Sequence, residues 1–143
     1  MAVTVQFYNT FLTKLVTGVI DLDSDTFKIA LMTSSHTFAT STSTWASVAA
    51  NELSNGSGYT TGGATLSGVT VTTSASSVSF DFTDPEWTAS GGPIGPAGYA
   101  VIYDDTAAND PLICSINFGT SVTAADGADL VIRVSSAGLF RIA

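Results

Sequence analysis

The sequence predicts a mainly β protein, an antiparallel β-sandwich or barrel-like domain with one N-terminal α-helix. Three observations carry this reading. Apolar and polar residues alternate over residues 69–82, where Val69 and Val71 flank Thr70, and Val78, Phe80 and Phe82 flank Ser79 and Asp81. That period of two belongs to half-buried strands. Helical spacing appears strongly near the start alone, where Phe7, Phe11, Leu12, Leu15, Val16 and Val19 recur three and four apart. No strand–helix–strand alternation follows, which argues against a parallel sheet.

Taken in order, residues 1–6 read as an N-terminal arm able to reach a neighbour, residues 7–18 as the helix, and residues 27–143 as a β-rich body, all one domain. Gly18 is placed to end the helix in a left-handed conformation. Asp21, Asp23 and Asp25 form a polar elbow before a first strand over residues 27–33. Residues 34–44, almost all Ser, Thr and small, read as loop, and Thr44 is placed to cap a short helical turn through residue 52. Residues 54–63 are dense in turn formers and read as irregular. A hairpin follows, with its turn at residues 74–77. Pro85, Pro93 and Pro96 with Gly91, Gly92 and Gly95 suggest a second long loop carrying Trp87. Residues 99–103 and 112–118 read as strands joined by a short polar turn, residues 119–127 as loop, and residues 129–134 and 139–142 as the last strands.

Composition narrows the function classes. A 143-residue chain is the size of one domain and can bury a core without disulfide or metal staples. Charged residues make up 11%, against a usual ~25%, and Ser and Thr, 39 of the 143 residues, supply the missing polarity. Disorder does not fit 45% apolar content with so little charge. Lys14, Lys28, Arg133 and Arg141 are the only cations beside twelve acids, for a net charge of −8. So few scattered cations make no phosphate-tracking stripe, and nucleic acid is not an expected partner. No apolar run approaches the ~18 residues of a membrane span, and the opening residues lack a signal-peptide pattern. No membrane partner is expected, and the start reads as that of a cytosolic chain. Cys114, alone in an apolar run, reads as a small buried hydrophobe.

Candidate chemical sites each fail on spacing. An EF-hand starting at Asp21 would need Gly and Glu where Thr26 and Met32 stand. Asp81, Asp84 and Glu86 beside Trp87 fall within six residues, whereas the two carboxyls of a glycosidase flank a bond from opposite sides. His36 lies in the Ser/Thr-rich loop, and no Gly-x-Ser-x-Gly elbow exists to present a nucleophile to it. The glycines of residues 55–63 lack the Lys of a phosphate cradle. One His and one Cys build no zinc site. No catalytic residues, metal ligands or cofactors are assigned, and the chain is expected not to be an enzyme.

The missing charge has a positive meaning. Residues 29–51, 53–80 and 87–103 contain no Asp, Glu, Lys or Arg, while soluble monomers ordinarily coat themselves with them. Interface cores are depleted in charge and rich in aromatics, so a homo-oligomer is expected, with Trp45, Tyr59, Trp87 and Tyr99 as candidate interface anchors.

Several segments carry a resemblance: residues 7–15 (FYNTFLTKL), 18–33 (GVIDLDSDTFKIALMT), 50–54 (ANELS), 58–66 (GYTTGGATL), 99–105 (YAVIYDD) and 110–113 (DPLI). In that order, across nearly the whole chain, the sequence resembles small structural proteins of tailed bacteriophages. The resemblance implies a virion component without enzymatic activity. A head decoration or cement protein is the first expectation, self-associating, for instance as a trimer, and clamped on the major capsid protein. A tail- or fibre-associated subunit is the second. A carbohydrate-binding β-sandwich, with Trp87 and Tyr59 stacking on sugar, is a reading of another class.

Overall fold

A computed structural model describes residues 3–143. The protein is mainly β, built from antiparallel sheets with a single α-helix near the N-terminus. Strand β1 (Thr4–Phe7) leads into helix α1 (Asn9–Val16), then β2 (Phe27–Met32), β3 (Ala64–Thr65), β4 (Thr70–Ser74), β5 (Ser77–Asp81) and β6 (Glu86–Thr88). The long strands β7 (Ile94–Asp104) and β8 (Leu112–Ala124) follow, then β9 (Asp129–Val131) and β10 (Phe140–Ile142). The main sheet has the order β1-β8-β7-β2-β3; β10-β5-β4 and β6-β9 form two smaller sheets.

Alternation assigns the two faces of the main sheet. Phe27, Ile29 and Leu31 of β2, Ala100 and Ile102 of β7, and Cys114 and Ile116 of β8 pack towards the small sheets, against Phe80, Trp87 and Leu130. This layered arrangement is sandwich-like. Ala30, Met32, Val101, Tyr103 and Leu112 point the other way, into a second cluster with Tyr8 and Val48. Residues 33–53, not a sheet, cover that second face. They leave β2 at Met32, touch α1 where the Asn9 N–H donates to the Thr40 carbonyl (3.0 Å), and cross β8 where the Leu112 N–H donates to Ser43 (3.0 Å). They then return beside β2, where the Leu53 N–H donates to Leu31 (2.9 Å).

The helix ends where the sequence places its stop. Gly18 has φ +74°; its N–H donates to the Leu15 carbonyl and the Val19 N–H to that of Lys14, at 3.2 and 2.8 Å. This is a Schellman closure, which needs the left-handed residue that glycine supplies without steric penalty. The helix is shorter than residues 7–18, however. Phe7 belongs to β1, opposite Cys114, and the chain turns at Tyr8. The helical stripe is only partly buried: Phe11 lies in the core, while Leu12, Val16 and Val19 are 50%, 83% and 48% exposed.

Other expectations are corrected in the same way. The N-terminal arm is a paired strand from Thr4 onwards, with Met1 and Ala2 outside the described residues. Trp87 sits in β6, paired with Leu130 of β9, not in a long loop. Of the Gly/Pro segment, Gly95 and Pro96 fall within β7, where register shifts between Ile94 and Tyr99 accommodate them, while Gly91, Gly92 and Pro93 stay outside any strand; bulges tolerate proline where a regular ladder does not. Strand β8 runs on through residues 119–124, because β7 supplies a partner that local sequence cannot show. The 44–52 turn forms as two short 3-10 turns, and Thr44 Oγ1 bonds Ser47 Oγ at 2.9 Å instead of capping the backbone.

Candidate assembly surface and buried polar groups

The sandwich gapes along one margin. At the β1 edge of the main sheet the inter-layer core opens into a groove of about 480 Å³. Val3 and Val5 line it with Ile116, Phe118 and Val122 on one wall and Leu130, Ile132, Val134 and Leu139 on the other. Val3, Val5 and Val122 are 62%, 37% and 38% exposed. Among the described residues, Arg133 is the only charged one in the lining. The strand edge here is free, since β1 is the last strand of its sheet. Edge strands are ordinarily protected by Lys, Pro or charge, and none occurs before Lys14. The exposed Leu12 and Val16 of α1, with Val19 just beyond the helix, form a second apolar surface that shares no residue with the groove.

The four aromatic anchors divide. Tyr59 (2% exposed) and Trp87 (5%) are inter-layer core, their ring centroids 6.2 Å apart. In the folded chain neither can be an exposed anchor or stack on a sugar. Trp45 and Tyr99 are half-buried on the other face: Trp45 stacks on Tyr103 at 4.6 Å, and Tyr99 meets His36 edge-on at 5.0 Å. Sequence reasoning missed Val3, Val5 and Val122, because a short valine-bearing strand gives the same signal whether its face is covered or open.

Tyr59 has a structural duty as well. Its hydroxyl donates to Glu52 Oε1 (2.7 Å) and accepts from the Leu31 N–H (3.0 Å). Glu52 Oε1 also accepts from the Gly62 N–H (2.6 Å), and the Tyr103 hydroxyl donates to the Gly62 carbonyl (2.6 Å). Burial raises the Tyr59 phenol well above the ordinary range, with Glu52 adding to the effect. This network ties the glycine-rich segment down. Gly63 lies so close to β2 that a Cβ there would collide with the Ile29 carbonyl.

The polar clusters singled out in the sequence serve the backbone. Asp21 Oδ1 accepts from the Asp23 N–H and Asp25 Oδ2 from the Asp21 N–H, at 3.0 and 2.8 Å. Asp81 Oδ1 takes the Phe82 N–H and Asp84 Oδ1 the Val134 N–H, each at 2.8 Å. Among the described residues, no group of three His, Cys, Asp or Glu side chains could hold a metal ion. No helix among them is long and apolar enough to cross a membrane. Cys114 is fully buried, and that burial pushes its thiol up to about 12. This suppresses the thiolate that reactivity requires.

Two buried polar groups were not legible in the sequence. His36 is 1% exposed, with Nε2 3.2 Å from the equally buried Ser115 Oγ. Asp104 is fully buried, and its Oδ1 accepts from the Thr106 and Ala107 N–H groups at 2.7 and 3.0 Å. Burial, with Asp25 as neighbour, raises its carboxyl to about 6.

Comparison with protein-family models, with curated proteins and with solved structures returned no match.

Proposed function

We propose that this chain is a bacteriophage virion structural protein, a head decoration or cement protein. In this reading it self-associates and grips the major capsid protein through non-covalent contacts. The observation that carries the self-association is the open margin, a free strand edge and core groove with a single charged lining residue. Each copy carries −8, so like charges repel, and a second copy meets least repulsion where acids are absent. A standard interface takes roughly 800 Å² from each partner, about a ninth of the 7094 Å² this chain exposes. The sequence resemblance supports the virion assignment, and many repeated contacts across a shell would hold by avidity. A cyclic trimer needs two different surfaces per copy, one meeting the other on its neighbour. The groove and the exposed α1 face supply such a pair.

The carbohydrate-binding alternative is disfavoured by the burial of Tyr59 and Trp87. A tail- or fibre-associated subunit would use the same self-association and differs only in where on the particle it sits.

Sedimentation of the purified chain, with Val5→Asp and Val16→Asp variants, tests the self-association. Each variant alone should be monomeric. Their mixture should form dimers and nothing larger, because each retains the surface that the other has lost. A monomeric wild type sinks the reading. Co-fractionation with purified particles, at a copy number near that of the capsid protein, tests the head assignment; recovery with tails alone would favour the second location.

A further inference from the structure

We propose that residues 33–44 form an acid-released strap over the main sheet, with His36 as its latch. The strap is neither helix nor strand, and it lies over an apolar layer of Tyr8, Met32, Val101 and Leu112. Its fastenings are few. Phe38 rests on Tyr8 at a centroid distance of 4.8 Å, the Thr33 N–H donates to the Asn51 carbonyl (2.8 Å), and backbone bonds reach the strap from Asn9 and Leu112. His36 supplies the strap's side-chain hydrogen bond to the sheet, through Ser115 of β8.

Residues 29–51 include no Asp, Glu, Lys or Arg, so the His36 imidazole is the group of this segment that gains charge on mild acidification. The groups facing it are all neutral. Tyr99 of β7 meets the imidazole in an edge-to-face arrangement, Ser115 of β8 bonds Nε2, and Tyr8 approaches the same serine from the β1–α1 junction. The neighbouring Cys114 packs into the opposite layer. Among the described residues no carboxylate pairs with the ring, and Nδ1 has no hydrogen-bond partner. A protonated imidazole must donate from both nitrogens. Here it would be a buried, uncompensated charge, which low-dielectric surroundings penalise heavily. Lifting the strap hydrates it. Burial already holds the group below the ordinary 6.5, in keeping with a ring kept neutral while the strap is down.

Amide hydrogen exchange between pH 7.5 and 4.5, expressed as protection factors, tests this. Protection of the Asn9, Thr42 and Leu112 amides, whose N–H groups donate to the strap carbonyls of Thr40, Ala39 and Ser43, should fall by up to about tenfold per pH unit below pH ~6.5, the limit for one coupled proton. The other β7–β8 amides should hold their protection. His36→Gln should abolish the pH dependence, and Asp104→Asn should retain it. Strap protection that ignores pH in the wild type overturns the proposal. So does the same loss in His36→Gln, or its disappearance in Asp104→Asn. Should His36→Gln not fold, NMR titration of the wild-type imidazole decides instead. Protonation with the strap still protected overturns the proposal; protonation in step with strap exposure supports it.

Discussion

At the scale of single residues, stability rests on a few buried polar groups with assigned partners. The Tyr59 hydroxyl serves both Leu31 and Glu52. Tyr59→Phe leaves the shape of the core and strands the Leu31 N–H, so urea unfolding should show a loss of about 2 kcal/mol. A change under about 0.5 kcal/mol would mean that water replaces the hydroxyl. Asp104 works in the opposite sense. Its carboxyl, raised from the ordinary 3.8 to about 6, binds a proton more tightly folded than unfolded. Its favourable contribution is complete below about pH 3.8 and is lost as the pH rises through about 6. Asp104→Asn should therefore be more stable than wild type at pH 7, by about 1–2 kcal/mol, with the advantage vanishing near pH 4 in pH-dependent melts. His36 is shifted down, so its contribution is present above 6.5 and declines on acidification. The two groups act in opposite directions as the pH falls, so His36→Gln should expose the Asp104 dependence and Asp104→Asn that of His36.

At the scale of elements, two glycines show why one substitution has two costs. Gly18 closes α1 with φ +74° and nothing within reach of an added Cβ. Gly18→Ala should cost only the left-handed strain, about 1 kcal/mol. Gly63 has φ +83° and an added Cβ would strike the Ile29 carbonyl, so the short β3 must shift away from β2. Gly63→Ala should cost about 3 kcal/mol, and thermal melts of the two variants side by side check the ranking. The first position was legible because a helix stop is a local event. The second was not, since the glycine-rich run looks like ordinary loop until Tyr59, Glu52 and Tyr103 fasten it to the sheet. The β1 strand was hidden for a related reason: four residues have no period to read, and β8 alone makes them a strand.

At the scale of the whole molecule, the low charge and the open margin belong together. The groove is the same inter-layer core reaching solvent, so its walls are mostly apolar, with Arg133 and Ser135 at the lining. In the proposed assembly, copies that meet there overcome mutual repulsion of −8 on each. Raising the salt concentration screens that repulsion over a Debye length of about 10 Å at 0.1 M and 3 Å at 1 M. Self-association measured by sedimentation should therefore strengthen between 0.05 and 0.5 M salt. Weakening over that range would mean that opposite charges, not apolar burial, drive the contact.

The sequence by itself determined the fold class, the single helix and its stop at Gly18, the hairpin of residues 70–81 and the inert burial of Cys114. All of these depend on neighbours close along the chain or on side-chain chemistry alone. Only the tertiary structure decided which aromatics are core, where the sandwich stays open, and that His36 lies beside Ser115, a residue 79 positions away. Periodicity states that a side chain has a buried face. What covers that face depends on which distant strand or loop arrives there, and that is a property of the packed chain.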